Sequence, residues 1–405
     1  MTVGALHDIT VIDATQMLAG PLAATRLGDL GADVVKLEPP VDGEFNRTHG
    51  LNNVRVGGEQ TTFLSVNRNK RSLALDLKNP DARDALYAVI ETADVFLQNF
   101  RHGTADRLGI GWEQLRAINP RLVYCSISGY GPVGPYRDRP GQDLVIQGYS
   151  GSMWSVGRAD EAPRPGSLWA ADVMTGYQAA IGILAALHAR QTTGVGQHVE
   201  VDMLSVVLDA QLQEIVTYLN AGVQPERTRE FSAHASIPAP YGVYRTADGW
   251  LTLAMSPLPA LGEMLDDDYL RGLTDYQDGM VHKDEVYAHI RDLFVGRTTA
   301  AWIEACDRHG IWAGPVYDYA QLADDPHVRE VGLFVEQPHY TGTPVRTSRI
   351  PVRLSGTPTS IRRGAPALGE HSRDILMDAG VDAAVVDALI DAGAVRSFGG
   401  ARVDG

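Results

Sequence analysis

The stretch from Ile9 to Glu38 leaves few folds open. ITVIDAT, Ile9 to Thr15, is a short apolar run with β-branched residues, which suit a pleated strand. AGPLAATRLGDLGA follows with apolar residues at helical spacing, Pro21 in the first turn and Gly31 near the end, as a helix start and stop require. DVVKLE, Asp33 to Glu38, then reads as a second buried strand. Together they form a β-α-β unit, which implies parallel strands joined by a right-handed crossover. The pattern continues with SLALDL, the helix DARDALYAVIETA, the strand DVFLQNF, the helix GWEQLRAINP and the strand LVYCSIS. The expectation for this half is α/β, an open parallel Rossmann-like sheet. Such a sheet binds ligands beyond the carboxyl ends of its strands, which puts LQNFR and the SGYG after LVYCSIS at a site.

Beyond Val201 the pattern changes. Residues 203–219 continue as helix, and GVQPERTREFSAHASIPAP reads as a polar connector. PYGVYRT and WLTLAMS flank Ala247-Asp248-Gly249, a hairpin signal because Asp-Gly tolerates the positive φ of a tight turn. With helices at KDEVYAHIRDLFVG and TTAAWIEACDRHG, residues 240–316 form a smaller α+β domain. Helices follow at SRDILMDAG and DAAVVDALIDAG, the second capped by Asp382, and the SFGGARVDG tail reads as mobile.

Composition narrows the function. A chain of 405 residues exceeds one ordinary core, so two or three domains are expected. A net charge of −15 argues against nucleic acid, so an anionic ligand needs a local basic cluster. RNKRS, Arg68 to Ser72, followed by Lys78, Arg101 and Arg107, is one; its plain alternative is a solvated loop. The N-terminus lacks the features of a secretory signal, so a cytoplasmic protein is expected. The most apolar run, Ala179 to Leu187, is too short to span a bilayer, and no membrane association is expected. Cys125 and Cys306 read as small buried hydrophobes.

Motif searches exclude more than they find. GYGPVG, Gly129 to Gly134, matches the letters of a dinucleotide fingerprint, but prolines follow where a helix should open. Metal-ligand spacings and a GxSxG elbow are missing from the sequence. One residue stands out instead. Between Arg164 and Arg190 the chain carries a single carboxylate, Asp172, ahead of an apolar, small-residue helix expected at 173–190. The plain reading is an N-cap, since Asp accepts hydrogen bonds from first-turn N–H groups. The two roles are compatible, because a helix N-terminus holds a carboxylate ionised and aimed, and such a carboxylate is a nucleophile. Asp143, after a Pro-Gly turn and before another apolar run, has the same two readings.

These segments, in this order, resemble the class III CoA-transferases, the family that includes formyl-CoA transferase, carnitine CoA-transferase and the α-methylacyl-CoA racemases. The likeness rests on DATQMLAGP, GADVVKLEPP, NRNKRSLALDLK, QNFRHGTADRLGIGWEQL, SGYGPVGPYRDRPGQDLVIQGYSG, ADVMTGYQAAIGILAAL, RQTTGVGQHVEVDML and ALGEHSRDIL. It implies transfer of CoA from an acyl-CoA to a carboxylic acid through aspartyl anhydride and aspartyl-CoA thioester intermediates. Asp172 would be the nucleophile, Asp143 would orient the site or a substrate group, and no cofactor would be bound permanently, the CoA thioester being substrate. The implied CoA contacts are Leu18, Ala19, Leu75, Asp76, Leu77, Lys78, Asn99, Phe100, Arg101 and Arg107, with the three cations meeting phosphates. Pro39 replaces an arginine found in some members, and the residues from Phe231 to Pro240 lack the glycine-rich loop that some transferases close over the intermediate.

The family's racemases pair a His with the helix-start Asp; here that position is Gln142, and the downstream acid gives way to SPLPA around Leu258. Glutamine exchanges no proton near neutral pH, so transfer is preferred to racemisation. Arg47, His49, Trp154 and His234 are guesses as specificity residues. The resemblance further implies an interlocked homodimer with the smaller domain inserted: 1–200 large domain, 201–239 linker, 240–316 small domain, 317–335 linker, and 336–405 back in the large domain.

Overall fold

The computed structural model describes residues 4–399, so the end of the SFGGARVDG tail lies outside the described residues. The chain divides into two compact units. One holds the residues up to Ile146, Trp169–Val207 and those from Arg329 onward; the other holds Gln147–Leu168 and Leu208–Val328.

The first unit is mixed α/β around a seven-stranded, mostly parallel sheet. Its strands are β1 (Thr10–Asp13), β2 (Asp33–Glu38), β3 (Lys70–Leu75), β4 (Val95–Gln98), β5 (Val123–Ser128), β6 (His198–Asp202) and a two-residue edge strand, Val395–Arg396. From one edge the order is Val395–Arg396, β3, β2, β1, β4, β5, β6, with only the first pair antiparallel. The helices that matter below are α1 (Ala19–Asp29), α2 (Pro80–Thr92), α3 (Trp112–Ile118), α4 (Asp143–Tyr149) and α5 (Ala170–Thr193). One core, with Ile12, Leu73, Leu86 and Phe96, lies on the α2 side of the sheet; a second, with Val11, Leu27, Val95 and Ile183, lies beneath α1 and α5. Burial on both faces is why the central strands read as mainly apolar runs.

Among the described residues α5 is the one helix long and apolar enough to cross a bilayer by length and composition. It starts three residues before and ends three residues after the apolar helix expected at 173–190. Packing supplies the reason for its apolarity. A Cβ on Gly176 would stand 2.7 Å from the Ala19 carbonyl oxygen, so α5 and α1 meet at backbone distance, and only small residues allow that.

The second unit contains a three-stranded sheet. Gly242–Arg245 and Trp250–Leu253 pair as the expected hairpin, and Ala313–Pro315 adds to Trp250–Leu253. Thr246 N–H donates to the Gly249 carbonyl across the turn. Tyr244, Leu261, Val286, Phe294 and Trp302 form the core.

This division departs from the spans read from sequence. Residues 147–168 and 208–239 join the second unit; Leu212–Ala221 falls within the helical run expected to 219, whereas the expected linker 317–335 contains helices at Tyr319–Asp324 and Pro326–Glu330. Asp318 caps the first of the two later helices, a polar signal easily taken for loop chemistry.

Candidate active site

In the first unit a cleft of about 460 Å³ opens at the carboxyl ends of β1, β4, β5 and β6. The strand order reverses between β1 and β4, and open α/β sheets hold their ligands at such a switch point. Gln16, Met17 and Ala19 form one wall, Asn99, Phe100 and Arg101 a second, and the loop 129–142 together with Asp172 a third.

Asp172 is not an N-cap. The helix starts at Ala170 with Trp169 in the cap position and no side-chain cap, which leaves Asp172 in the first turn. Two alanines with high helix propensity extend the helix past the point where the carboxylate was expected to end it. Asp143 opens α4, and its Oδ1 accepts a hydrogen bond from the Asp172 N–H at 3.1 Å. The start of α5 is thus satisfied by a carboxylate from a distant segment. Gly176, one turn along the same face as Asp172, touches α1 at Ala19, so the packing fixes Asp172 beside the wall formed by Gln16 to Ala19.

The electrostatics of Asp172 are unusual for an aspartate. Burial, and then the charge of Asp143, raise its pKa to about 6. The helix N-terminus therefore does not leave it at the ordinary carboxylate value. At neutral pH roughly nine in ten copies are still ionised, and the charge is held in a desolvated site beside a second acid. A carboxylate with a raised pKa and little solvation is a stronger nucleophile than one in water.

Of the positions implied for CoA, Ala19, Asn99, Phe100 and Arg101 line the cleft, as does Gln142. Leu18 precedes Ala19 and Arg107 follows the cleft residue Asp106. Leu75 ends β3, two strands from β1, with Asp76, Leu77 and the exposed Lys78 just beyond it. The RNKRS cluster is not a solvated loop or an open anion site. Arg68 pairs with Asp29 at 2.7 Å and Lys70 with Asp13 at 2.8 Å, both in the interior, and Arg71 pairs with Asp33. Nor is Arg47 free to select a substrate, since it is buried against Glu38 at 2.7 Å and Glu59 at 3.0 Å. His49 stacks on Phe45. Trp154 and His234 belong to the second unit, where their partners are Arg227 and Glu214. GYGPVG forms a loop with Gly131 and Gly134 at positive φ, and α4 opens only at Asp143.

Sequence reasoning missed part of the cleft. Gln98 Nε2 donates to Ser126 Oγ at 2.9 Å, and Ser126 Oγ bonds His198 Nε2 at 2.8 Å. His198 stacks with Trp112, and burial lowers its pKa. These residues come from three strands and a helix, and their only sequence signal is position near the strand ends.

The sequence model of CoA-transferase family III matches residues 6–372. The chain belongs to that family and is a CoA-transferase. A protein named succinate–glutarate CoA-transferase from Agrobacterium fabrum is 34% identical over 386 residues, which cover 92% of this chain and 95% of that one. Human succinyl-CoA:glutarate CoA-transferase is 33% identical over 398 residues, 96% of this chain and 90% of the human one. A crystal structure of a CAIB/BAIF family protein from Brucella suis matches with a TM-score of 0.82 and 30% identity, covering 94% of this chain and all of that one.

Proposed function

We propose that this enzyme moves CoA from a dicarboxylic acyl-CoA, succinyl-CoA first among them, to a carboxylic acid acceptor, with Asp172 as the nucleophile. The observation that carries the reading is a partly buried carboxylate with its pKa raised to about 6, set in a cleft at the switch point of the sheet. Relatives named for succinate, glutarate and L-malate support the substrate class.

In the proposed sequence an Asp172 oxygen attacks the thioester carbonyl, the C–S bond breaks, and CoA leaves as thiolate while a mixed anhydride forms on Asp172. The thiolate attacks the Asp172 carbonyl, which releases the donor acid and leaves an aspartyl thioester. The acceptor carboxylate then attacks that carbonyl, CoA leaves again, and its return to the acceptor's acyl carbon frees Asp172. No net proton moves. A carboxylate fits this task because its anhydride and thioester are as labile as the substrate's own acyl bonds. Asp143 orients the nucleophile through the Asp172 N–H. CoA runs from Arg107 and Arg101, which meet its phosphates, past Asn99 to Asp172. Leu18, Ala19, Leu75, Asp76, Leu77, Lys78 and Phe100 complete its binding site.

Racemisation is disfavoured because Gln142, at the cleft wall, offers no exchangeable proton near neutral pH.

The proposal includes an interlocked homodimer in the cytoplasm. Helix Leu212–Ala221 has no buried residue, yet Leu212, Val216 and Leu219 form an exposed stripe that continues to Val223. An apolar stripe of that kind suits a second copy of the chain. Two free buried thiols suit a reducing compartment.

The test is an exchange assay with succinyl-CoA and a panel of acids, run on the wild type and on Asp172→Ala. Exchange by the wild type and its loss in a variant that still binds CoA is the expected pair of results. Full activity in the variant, or α-proton exchange with heavy water without CoA transfer, would overturn the reading.

A further inference from the structure

The turn between β1 and α1 forms the cleft wall beside Asp172, and side chains from neighbouring segments hold it in place. Met17 has φ 71°. An L side chain rarely takes that left-handed conformation, and such outliers persist only where the surroundings over-determine them. Bringing Met17 back to negative φ requires rotating the Gln16–Met17 peptide plane. Both polar ends of that plane are pinned. Asn99 Nδ2 donates to the Gln16 carbonyl at 2.8 Å, while Glu44 Oε2 accepts from the Met17 N–H at 3.3 Å. Asn99 Oδ1 also accepts from the Gln16 N–H at 3.0 Å, and Asn46 Nδ2 donates to the Met17 carbonyl at 2.5 Å.

Glu44 and Asn46 are buried and act as one unit. The Glu44 oxygen that holds Met17 also accepts from the Asn46 N–H at 3.1 Å. The Glu44 N–H donates to Glu38 at 3.2 Å, and Glu38 is locked in turn by Arg47 and Ser72. The buried Arg47 pair therefore anchors the turn.

The orientation of this peptide matters chemically. With both carbonyls of Gln16 and Met17 tied to amide side chains, neither competes for the uncapped start of α1. A rotated plane would free the Gln16 oxygen to face a cleft where a carboxylate and oxyanions must be accommodated, and its dipole would oppose them.

We propose that Glu44 and Asn46 are positioning residues for CoA transfer, which lock the Gln16–Leu18 turn in its left-handed form so that the wall beside Asp172 presents no carbonyl to the reacting groups. This rests on the reading of the cleft as the transfer site. The test compares steady-state kinetics and thermal midpoints of the wild type, Glu44→Ala, Glu44→Gln and Glu44→Ala/Met17→Gly. Glu44→Ala is expected to lower kcat about 10- to 100-fold, as misplacement by about 1 Å does, with a much smaller change in the KM for acyl-CoA. Glu44→Gln, which keeps an acceptor oxygen, retains most of the rate. Met17→Gly recovers much of the loss in the Glu44→Ala background, because glycine takes positive φ without strain. A Glu44→Ala variant within roughly twofold of wild-type kcat, or a loss that Met17→Gly does not lift, overturns the proposal. A wild type that transfers no CoA overturns the transfer reading and this proposal with it.

Discussion

Two aspartates of the same unit, Asp13 fully buried and Asp172 partly buried, have opposite electrostatics. Asp13, at the end of β1, is 0% exposed; burial raises its pKa, but Lys36, Lys70 and hydrogen bonds from Lys70 and Thr15 outweigh that and bring it down to about 2. For Asp172 no cation offsets the burial, and the charge of Asp143 adds to it, so its pKa rises to about 6. A buried acid matched by cations holds a fold together, whereas a desolvated acid beside a like charge in a cleft is costly to keep ionised and is a candidate for chemistry. The contrast separates two carboxylates that the sequence shows in similar guise, each beside an apolar run.

The widest separation is expected from removing each acid's function. Asp172→Asn should reduce CoA transfer on the order of 10⁶-fold, the scale seen when a nucleophile is lost. It should not lower the thermal midpoint. A carboxyl whose folded pKa is raised from 3.8 to about 6 favours the folded state only when protonated, and loses that contribution as pH rises through the window. At pH 7 its ionised form costs about 3 kcal/mol, which asparagine avoids.

Lys70→Ala should do the reverse in kind. It leaves Asp13 with one cation fewer in the interior, and denaturant titration should show a loss of about 3 to 5 kcal/mol. Asp13 itself stabilises the fold above pH 3.8, and that contribution, about 2 kcal/mol, is lost as pH falls toward 2. A Lys70→Ala variant of unchanged stability would break the comparison.

The smallest effect sharpens it most. In the wild type, kcat/KM should fall on the acid side as pH drops through about 6, since protonated Asp172 cannot attack. Asp143→Asn keeps an oxygen for the Asp172 N–H and removes the like charge, so the acid limb should move to lower pH. A pH–rate profile of this variant that overlays the wild type would show that Asp143 does not set the nucleophile's charge.

Much of the framework was legible in the sequence because apolar periodicity encodes it. Ile9 to Glu38 contains β1, α1 and β2, Asp382 does cap its helix, and the Asp-Gly turn does join a hairpin. The edge strand Val395–Arg396 was missed because two residues carry no periodicity. The start of α5 was misplaced because Ala170 and Ala171 extend it without a capping residue. Electrostatic roles were the least legible. RNKRS looks like an open basic cluster, and only the fold shows Asp13 and Asp29 waiting beneath it. Glu44 and Asn46 gave no signal at all, since their partners are the backbone of a turn 27 to 29 residues away.

The central claim is that Asp172 becomes acylated. Incubating the enzyme with succinyl-CoA and hydroxylamine, then digesting it for mass spectrometry, tests this directly. A hydroxamate confined to the peptide bearing Asp172, formed only when acyl-CoA is present, is the predicted result. Turnover of CoA with that peptide unmodified would contradict the account.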